Sequence, residues 1–295
     1  MANPRIPYRL SGARPPLPAF RGKRIVVHLV VNVEHWVFGE PMPRTIITPP
    51  HGRETTPDVP NFSWADYGMR AGLSRILDLF RDRALPASTS INAGVVEAYA
   101  PAAEAMLKAG WEFIGHGVHQ KAINHAGAEA ELIDASLDLL TSFTGVRPVG
   151  WLSPGLRESH DTPDLLKARG LRYVCDWVVD DLPSWMTTAH GPLIAMPYNL
   201  EINDSIVYAI ERHASGQMAD RLERTLRLFE RECETSPRIL AIGLHPHLIG
   251  VPHRFAELER MIDLLQASDA VAFATGAEIA DWYEAAEPAP ANGGA

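Results

Sequence analysis

The run Arg24-Ile-Val-Val-His-Leu-Val-Val-Asn-Val33 constrains this chain most. It is rich in β-branched residues and nearly continuous in apolar character. A strand buried on both faces reads this way, and such strands belong to sheets covered by helices. The chain then repeats the theme. Strands are expected at Ala87–Asn92, Trp111–Gly115, Val149–Ser153, Leu171–Trp177, Leu193–Tyr198, Arg238–Leu244 and Val271–Thr275. Helices are expected between them: Asp66–Arg83, Ala93–Ala109, Glu129–Thr144, a short one from Thr162, Met218–Cys233, Phe255–Gln266 and Glu278–Ala285. Strand and helix alternating at this pitch imply βα units around a parallel sheet. Seven or eight parallel strands in 295 residues predict a single-domain α/β fold, a distorted (β/α) barrel. A proline-rich arm, 1–22, precedes the domain at 23–287, and 288–295 reads as a disordered tail.

Composition excludes several classes. A net charge of −9 argues against nucleic acid as a partner. No apolar run is long enough to span a membrane, and the Arg- and Pro-rich start is no secretory signal. Two cysteines, Cys175 and Cys233, are too few for a disulfide framework. The expectation is a cytoplasmic protein whose arm packs on its surface or on a neighbouring subunit, where it is a candidate for exchange.

Polar residues gather where the strands end. In a parallel barrel, that C-terminal rim is where catalytic groups collect. Glu34 closes the first strand, with Asn32 on the same face and His35 on the other. A carboxylate there is costly unless it coordinates, pairs or acts as a base. Arg44 and Arg70 are possible ion-pair partners. The third strand runs into His116-Gly-Val-His119-Gln120. If this stretch turns helically, His116 and His119 project to one side and with Glu34 could hold a divalent metal such as zinc, while Gln120 is a poorer ligand. His245 and His247 follow the apolar run before them, and His245 suits a general acid. Asp180 and Asp181 could orient that histidine or bind substrate, with Glu201, Asn203 and Asp204 as weaker candidates of the same kind. Trp36, Trp151 and Trp177 could wall a flat ring, with Ser153, His247 and Glu201 as further contacts. The loop 35–65 carries Trp36, Phe38, Phe62 and Trp64, which favour an ordered wall or lid. No nucleophile elbow, phosphate-binding loop or dinucleotide fingerprint is present.

These residues in this order resemble the polysaccharide deacetylase (NodB-homology, carbohydrate esterase family 4) superfamily, from about Arg24 to Tyr283. Val-Asn32-Val-Glu34-His35 resembles its first motif, His116 to Gln120 its second, Leu152-Ser-Pro154-Gly155 its third, the acids from Asp176 to Asp181 its fourth, and Gly-Leu-His245-Pro-His247 its fifth. The pattern departs at Asn32 and Glu34, where the sugar deacetylases carry Asp, at Gln120 and at Leu152. Together with Asp180-Asp-Leu-Pro-Ser-Trp185, Pro197-Tyr-Asn-Leu-Glu-Ile-Asn-Asp204 and Gly243-Leu-His-Pro-His-Leu-Ile-Gly250, this resembles the branch of cofactor-independent allantoinase and cyclic imide hydrolases. The resemblance implies a cytoplasmic homo-oligomeric hydrolase that opens a small cyclic amide, its small-molecule substrate, by attack of water on a ring carbonyl, the water being activated by Glu34 or by a metal held by Glu34 and His116. A metal-dependent deacetylase of an acetylated sugar and a non-catalytic binding barrel are the alternatives.

Overall fold

The computed structural model describes residues 3–49, 56–123 and 128–290. Nine strands form one sheet: β1 (Ile25–Val33), β2 (Ser88–Ile91), β3 (Glu112–Gly115), β4 (Gly150–Trp151), β5 (Tyr173–Val174), β6 (Ser184–Met186), β7 (Leu193–Ala195), β8 (Arg238–Leu244) and β9 (Val271–Phe273). Their order is β6-β7-β5-β4-β3-β2-β1-β8, with β9 also on β1. All pairings are parallel except β6 with β7. The expected distorted barrel is therefore present, with one antiparallel strand that the sequence reading lacked. Three residues are too few to show a period, and β6 exists because its hydrogen bonds to β7 form a hairpin.

The sheet curls because β1 divides one edge. Ile25 to Val27 pair with β9, and Val30 to Val33 pair with β2. The other edge runs along β8 from Ile25 to Val31. Between β7 and β8 the ring is closed by single contacts: Ile239 N donates to Asp181 O (2.8 Å), and Gly243 N to Ile202 O (3.1 Å).

Alternation along β1 separates the two cores. Ile25, Val27, Leu29, Val31 and Val33 face outward to Leu73, Ile76, Phe80, Leu222, Leu258 and Ile262 of the surrounding helices. Val26 and Val30 face the barrel interior with Ile114, Leu152, Tyr173, Tyr198 and Ile239. His28 and Asn32 share that inner face, where His28 bonds Ser88 Oγ and Asn32 bonds Tyr198 OH. One step on, Glu34 stands at the inner rim.

The helices are α1 (Val59–Tyr67), α2 (Leu73–Asp82), α3 (Val95–Ala98), α4 (Ala100–Lys108), α5 (Glu129–Thr144), α6 (Thr162–Ala168), α7 (Gln217–Glu232), α8 (Pro252–Gln266) and α9 (Gly276–Ala286). The first begins seven residues before the expected Asp66. Asp58 accepts from Asn61 N and Pro60 occupies the first turn, so a cap and a proline open it. The expected helix over Ala93–Ala109 is broken into α3 and α4 at Tyr99.

The residues before β1 lie along this same chain. Arg5 pairs with Asp164 (2.7 Å), and Arg14 with Asp180 (3.1 Å) and Glu287 (3.0 Å). Leu17 and Phe20 are buried in the inner core. Most of the expected disordered tail, 291–295, lies outside the described residues. Both cysteines are free and buried. Among the described residues no helix is long and apolar enough to cross a membrane.

Candidate active site

The rim brings together Glu34 from the end of β1, His116 and Gln120 after β3, and His245 and His247 after β8. Glu34 is nearly enclosed, its side chain 9% exposed. One carboxylate oxygen accepts from Trp36 Nε1 (3.0 Å) and the other from Gln120 Nε2 (2.7 Å). Both donors are neutral. His245 Nε2 lies 3.7 Å from Glu34 Oε1, beyond hydrogen-bonding range but well within electrostatic reach.

His245 is fixed from behind by Asp204, whose side chain is fully buried. One Asp204 oxygen meets His245 Nδ1 and the other accepts from His245 N, each at 2.6 Å. The backbone bridge between Asn203 and Gly243 places that carboxylate there. Gly243 has no room for a side chain, because a Cβ would stand 2.3 Å from Asn203 Nδ2. Burial opposes a positive charge on His245, but the charge and hydrogen bond of Asp204, with help from Glu34, outweigh it. The imidazole pKa is raised above its ordinary value.

His116 is the opposite case. Burial lowers its pKa to about 4, so the ring is neutral near pH 7. Its Nδ1 bonds the Leu152 carbonyl, which can only accept, so Nδ1 carries the proton. Nε2 is left with a lone pair, buried and without a hydrogen-bond partner among the described residues. His247 is also buried and held neutral by burial. It packs edge-on against Trp64 (ring centroids 4.7 Å) and Trp36 (5.7 Å).

Above Glu34 opens a cavity of about 220 Å³, lined by Glu34, Trp36, Arg44, Gln120, Pro154 and Arg157 among others. Its size suits one small ring rather than a polymer.

Other expected site residues lie elsewhere. His119 turns away from His116 and meets His35, with the two Nδ1 atoms 2.9 Å apart. The segment is not helical, since Gly117 adopts a left-handed φ of +69°, and the i, i+3 projection does not apply. Asp180 is bound to Ser11 and Arg14 of the N-terminal residues. Asp181 lies beside the start of β8, at the opposite end of that strand from His245. Trp151 is fully buried in a third cluster with Ile133, Leu137 and Leu166, its indole over Gly115 and its Nε1 donating to Ser153 Oγ (3.0 Å). Ser153 is buried too, with its N bonded to Asp176 (2.8 Å). Trp177 donates to Glu158, and Glu201 is exposed. The carboxylate behind His245 is thus Asp204, not Asp180 or Asp181. In the sequence it stands among the weaker candidates Glu201, Asn203 and Asp204, which follow Met196 to Leu200.

The donors at the rim do not make up a zinc centre. His116 Nε2 and Glu34 could ligate, but the third position is the Gln120 amide, whose nitrogen already serves Glu34. Among the described residues, no group of three or more His, Cys, Asp and Glu side chains is placed to hold a metal.

A curled, mostly parallel barrel with an acid and a carboxylate-backed histidine at its C-terminal rim defines a barrel hydrolase. The polysaccharide deacetylase family model matches residues 44–174. A putative polysaccharide deacetylase of Schizosaccharomyces pombe (strain 972 / ATCC 24843) is 30% identical over 249 residues, 76% of each chain. The crystal structure of a probable polysaccharide deacetylase from Pseudomonas aeruginosa PAO1 superposes with a TM-score of 0.83 at 30% identity, covering 94% of this chain and 97% of that one. That of PuuE allantoinase superposes with a TM-score of 0.84 at 28% identity, covering 95% and 97%. The chain belongs to the polysaccharide deacetylase family. It is a hydrolase acting on non-peptide carbon–nitrogen bonds, of the cyclic amidase or deacetylase type.

Proposed function

We propose that this protein hydrolyses a small cyclic amide, an imide, ureide or allantoin-like ring, by adding water across its C–N bond. One observation carries the reading. The Glu34 carboxylate lines a cavity sized for one ring, and an imidazole of raised pKa lies 3.7 Å from it. The similarity to PuuE allantoinase over nearly the whole chain supports it.

Glu34 takes a proton from water, and the resulting hydroxide attacks the ring carbonyl. The tetrahedral intermediate collapses as the C–N bond breaks, and His245 gives its proton to the leaving nitrogen. A cationic His245 above a neutral-donor carboxylate divides the base and acid roles between two environments. Trp36 supplies an aromatic wall and fixes Glu34 through its N–H. His116 offers Nε2 as a buried acceptor for a hydrogen of water or of the ring N–H. No step is assigned to a metal, because the donor set does not fit one.

The second reading, deacetylation of an acetylated sugar, rests on the family match over 44–174. Hydrolysis of succinimide, hydantoin and allantoin, measured beside release of acetate from N-acetylglucosamine, separates the two. Ring opening by the wild type, lost about 10²–10⁴-fold in Glu34→Gln with an unchanged circular dichroism spectrum, is expected. Acetate release without ring opening would replace this reading with the second.

A further inference from the structure

The cavity over Glu34 holds two arginines that the proposed chemistry does not use. Arg44 comes from the loop after β1 and Arg157 from the turn after β4, and both line it. Neither has a carboxylate partner among the described residues. The Arg44 guanidinium is half-buried and donates to Ser205 Oγ at 2.7 Å, a neutral contact that orients it without cancelling its charge. Arg157 is exposed at the mouth, and its side chain makes no hydrogen bond among the described residues. The third cation of this wall, Lys121, is already paired with Glu40. Elsewhere several arginines are committed to acids: Arg5, Arg14, Arg169 and Arg172 each meet one or two carboxylates. In a protein of net charge −9, two uncommitted guanidinium groups on one small cavity are a local reversal of sign.

We infer that Arg44 and Arg157 form an anion subsite that takes a carboxylate carried by the substrate, so that the preferred substrate is a cyclic amide bearing a carboxylate away from the scissile carbonyl. This rests on the proposed ring-opening function and adds the class of ring. The guanidinium fork suits a carboxylate, which it can bind through two parallel N–H···O contacts. Ser205 holds the Arg44 fork before the substrate arrives, and so lowers the ordering cost on binding. The cavity volume of about 220 Å³ leaves space for a five- or six-membered ring and a short acid arm, not for a chain of sugars. The Glu34 carboxylate would repel a second carboxylate at the reacting end, so the acid arm is oriented toward the arginines and the scissile carbonyl toward Glu34.

The test compares hydantoin with hydantoin-5-acetate, in wild type, Arg44→Gln, Arg157→Gln and Arg44→Lys. The quantity read is the ratio of kcat/KM for the carboxylated ring to that for the neutral one. Wild type should favour the carboxylated ring. Arg44→Gln should lower the ratio about 10–100-fold, chiefly through KM, as expected for loss of a charge-assisted hydrogen bond. Arg157→Gln should lower it less, being exposed, and Arg44→Lys should restore part of it. If Arg44→Gln lowers kcat/KM for both rings equally, the arginine serves the carboxylate created by ring opening, and the inference is overturned. A wild-type ratio at or below one overturns it as well, while turnover of hydantoin leaves the ring-opening function standing. If no ring is opened at all, binding decides separately. Titration calorimetry on Glu34→Gln should then still show hydantoin-5-acetate binding more tightly than hydantoin, a difference removed by adding Arg44→Gln. Equal binding of the two rings would overturn the subsite.

Discussion

Replacing Asp204 with Asn removes a charge and changes little volume. In the wild type the imidazolium of His245 faces a fully buried carboxylate at 2.6 Å, and the same carboxylate bonds the His245 backbone N–H. A hydrogen bond to a charged group contributes about 1.5–3 kcal/mol. Because the contact to Nδ1 favours the protonated ring, losing its charge should lower the His245 pKa. The raised pKa keeps His245 protonated as pH rises, and activity is lost when pH passes through it. In Asp204→Asn the basic limb of the kcat/KM profile should therefore move toward acid. At pH 8, kcat should fall on the order of 10²-fold or more. The pKa itself can be read by NMR titration of the imidazole nitrogens, without any substrate. Linkage gives a second readout. A pKa raised by folding contributes stability that is complete below the unfolded value and disappears as pH climbs through the folded one. Wild type should exceed the variant in stability most below about pH 6.5, with the gap closing at alkaline pH. An unchanged His245 titration in the variant would refute the argument that Asp204 sets its charge.

Three further outcomes follow from the geometry. Burial holds His28 and His116 at pKa values of about 4, below their unfolded value, so their neutral forms contribute stability that is present above about pH 6.5 and lost as pH falls toward 4. Each is worth on the order of 3 kcal/mol, and His116→Gln should flatten the acid side of a urea-midpoint profile, whereas a profile identical to wild type would show that His116 is not buried neutral. Trp151→Ala should destabilise by about 3–5 kcal/mol in urea unfolding, because the indole is a fully buried core element; a loss confined to KM with wild-type stability would make it a substrate wall after all. Prolonged chelation followed by metal analysis should leave turnover within about twofold, since two strong donors fall short of the usual four-ligand set, and stoichiometric zinc retained through dialysis would show that Gln120 or another group completes a centre.

The parts of the fold that the sequence made legible are those with long signals. Strand β8 and helix α5 occupy Arg238–Leu244 and Glu129–Thr144, the ranges expected from their apolar patterns. Alternation along β1 placed Asn32 and Glu34 inside and His35 outside, as Asn32 on Tyr198 and His35 on His119 demonstrate. Of the expected loop 35–65, residues 50–55 lie outside the described residues and Phe62 and Trp64 belong to α1, where Trp64 meets Trp36 and Phe62 meets Phe38. Short strands were legible in place but not in extent: β4 and β5 fall inside the expected Val149–Ser153 and Leu171–Trp177, yet have two residues each, and their ends cannot be fixed by a period. The misplaced acids have a similar cause. Asp180 and Asp181 follow β5 in sequence, but the chain descends there to meet the start of β8, and no local pattern encodes that descent. Asp204 reaches His245 through a single long-range bridge, which is a tertiary fact. The expected pairing of His116 with His119 assumed a helical turn, and one glycine with positive φ removed it.

Those placements bear on why the rim is built from Glu and Gln. Glu34 receives two hydrogen bonds from neutral groups and faces the His245 imidazole across 3.7 Å, so its position is fixed by donors that carry no charge. A carboxylate neutralised by a guanidinium or a metal would be a weaker base. His245 is too distant to take or give a proton to Glu34 directly, at 3.7 Å, so the two remain separately poised until a substrate or water lies between them. The lone pair on His116 Nε2 then has a defined use. A buried acceptor without a partner is costly, and an N–H or O–H placed in the cavity would satisfy it. Imides, ureides and the attacking water all carry such a hydrogen beside the carbonyl that Glu34 addresses. Gln120, whose amide is a poor metal ligand, is also the group that holds Glu34 in place.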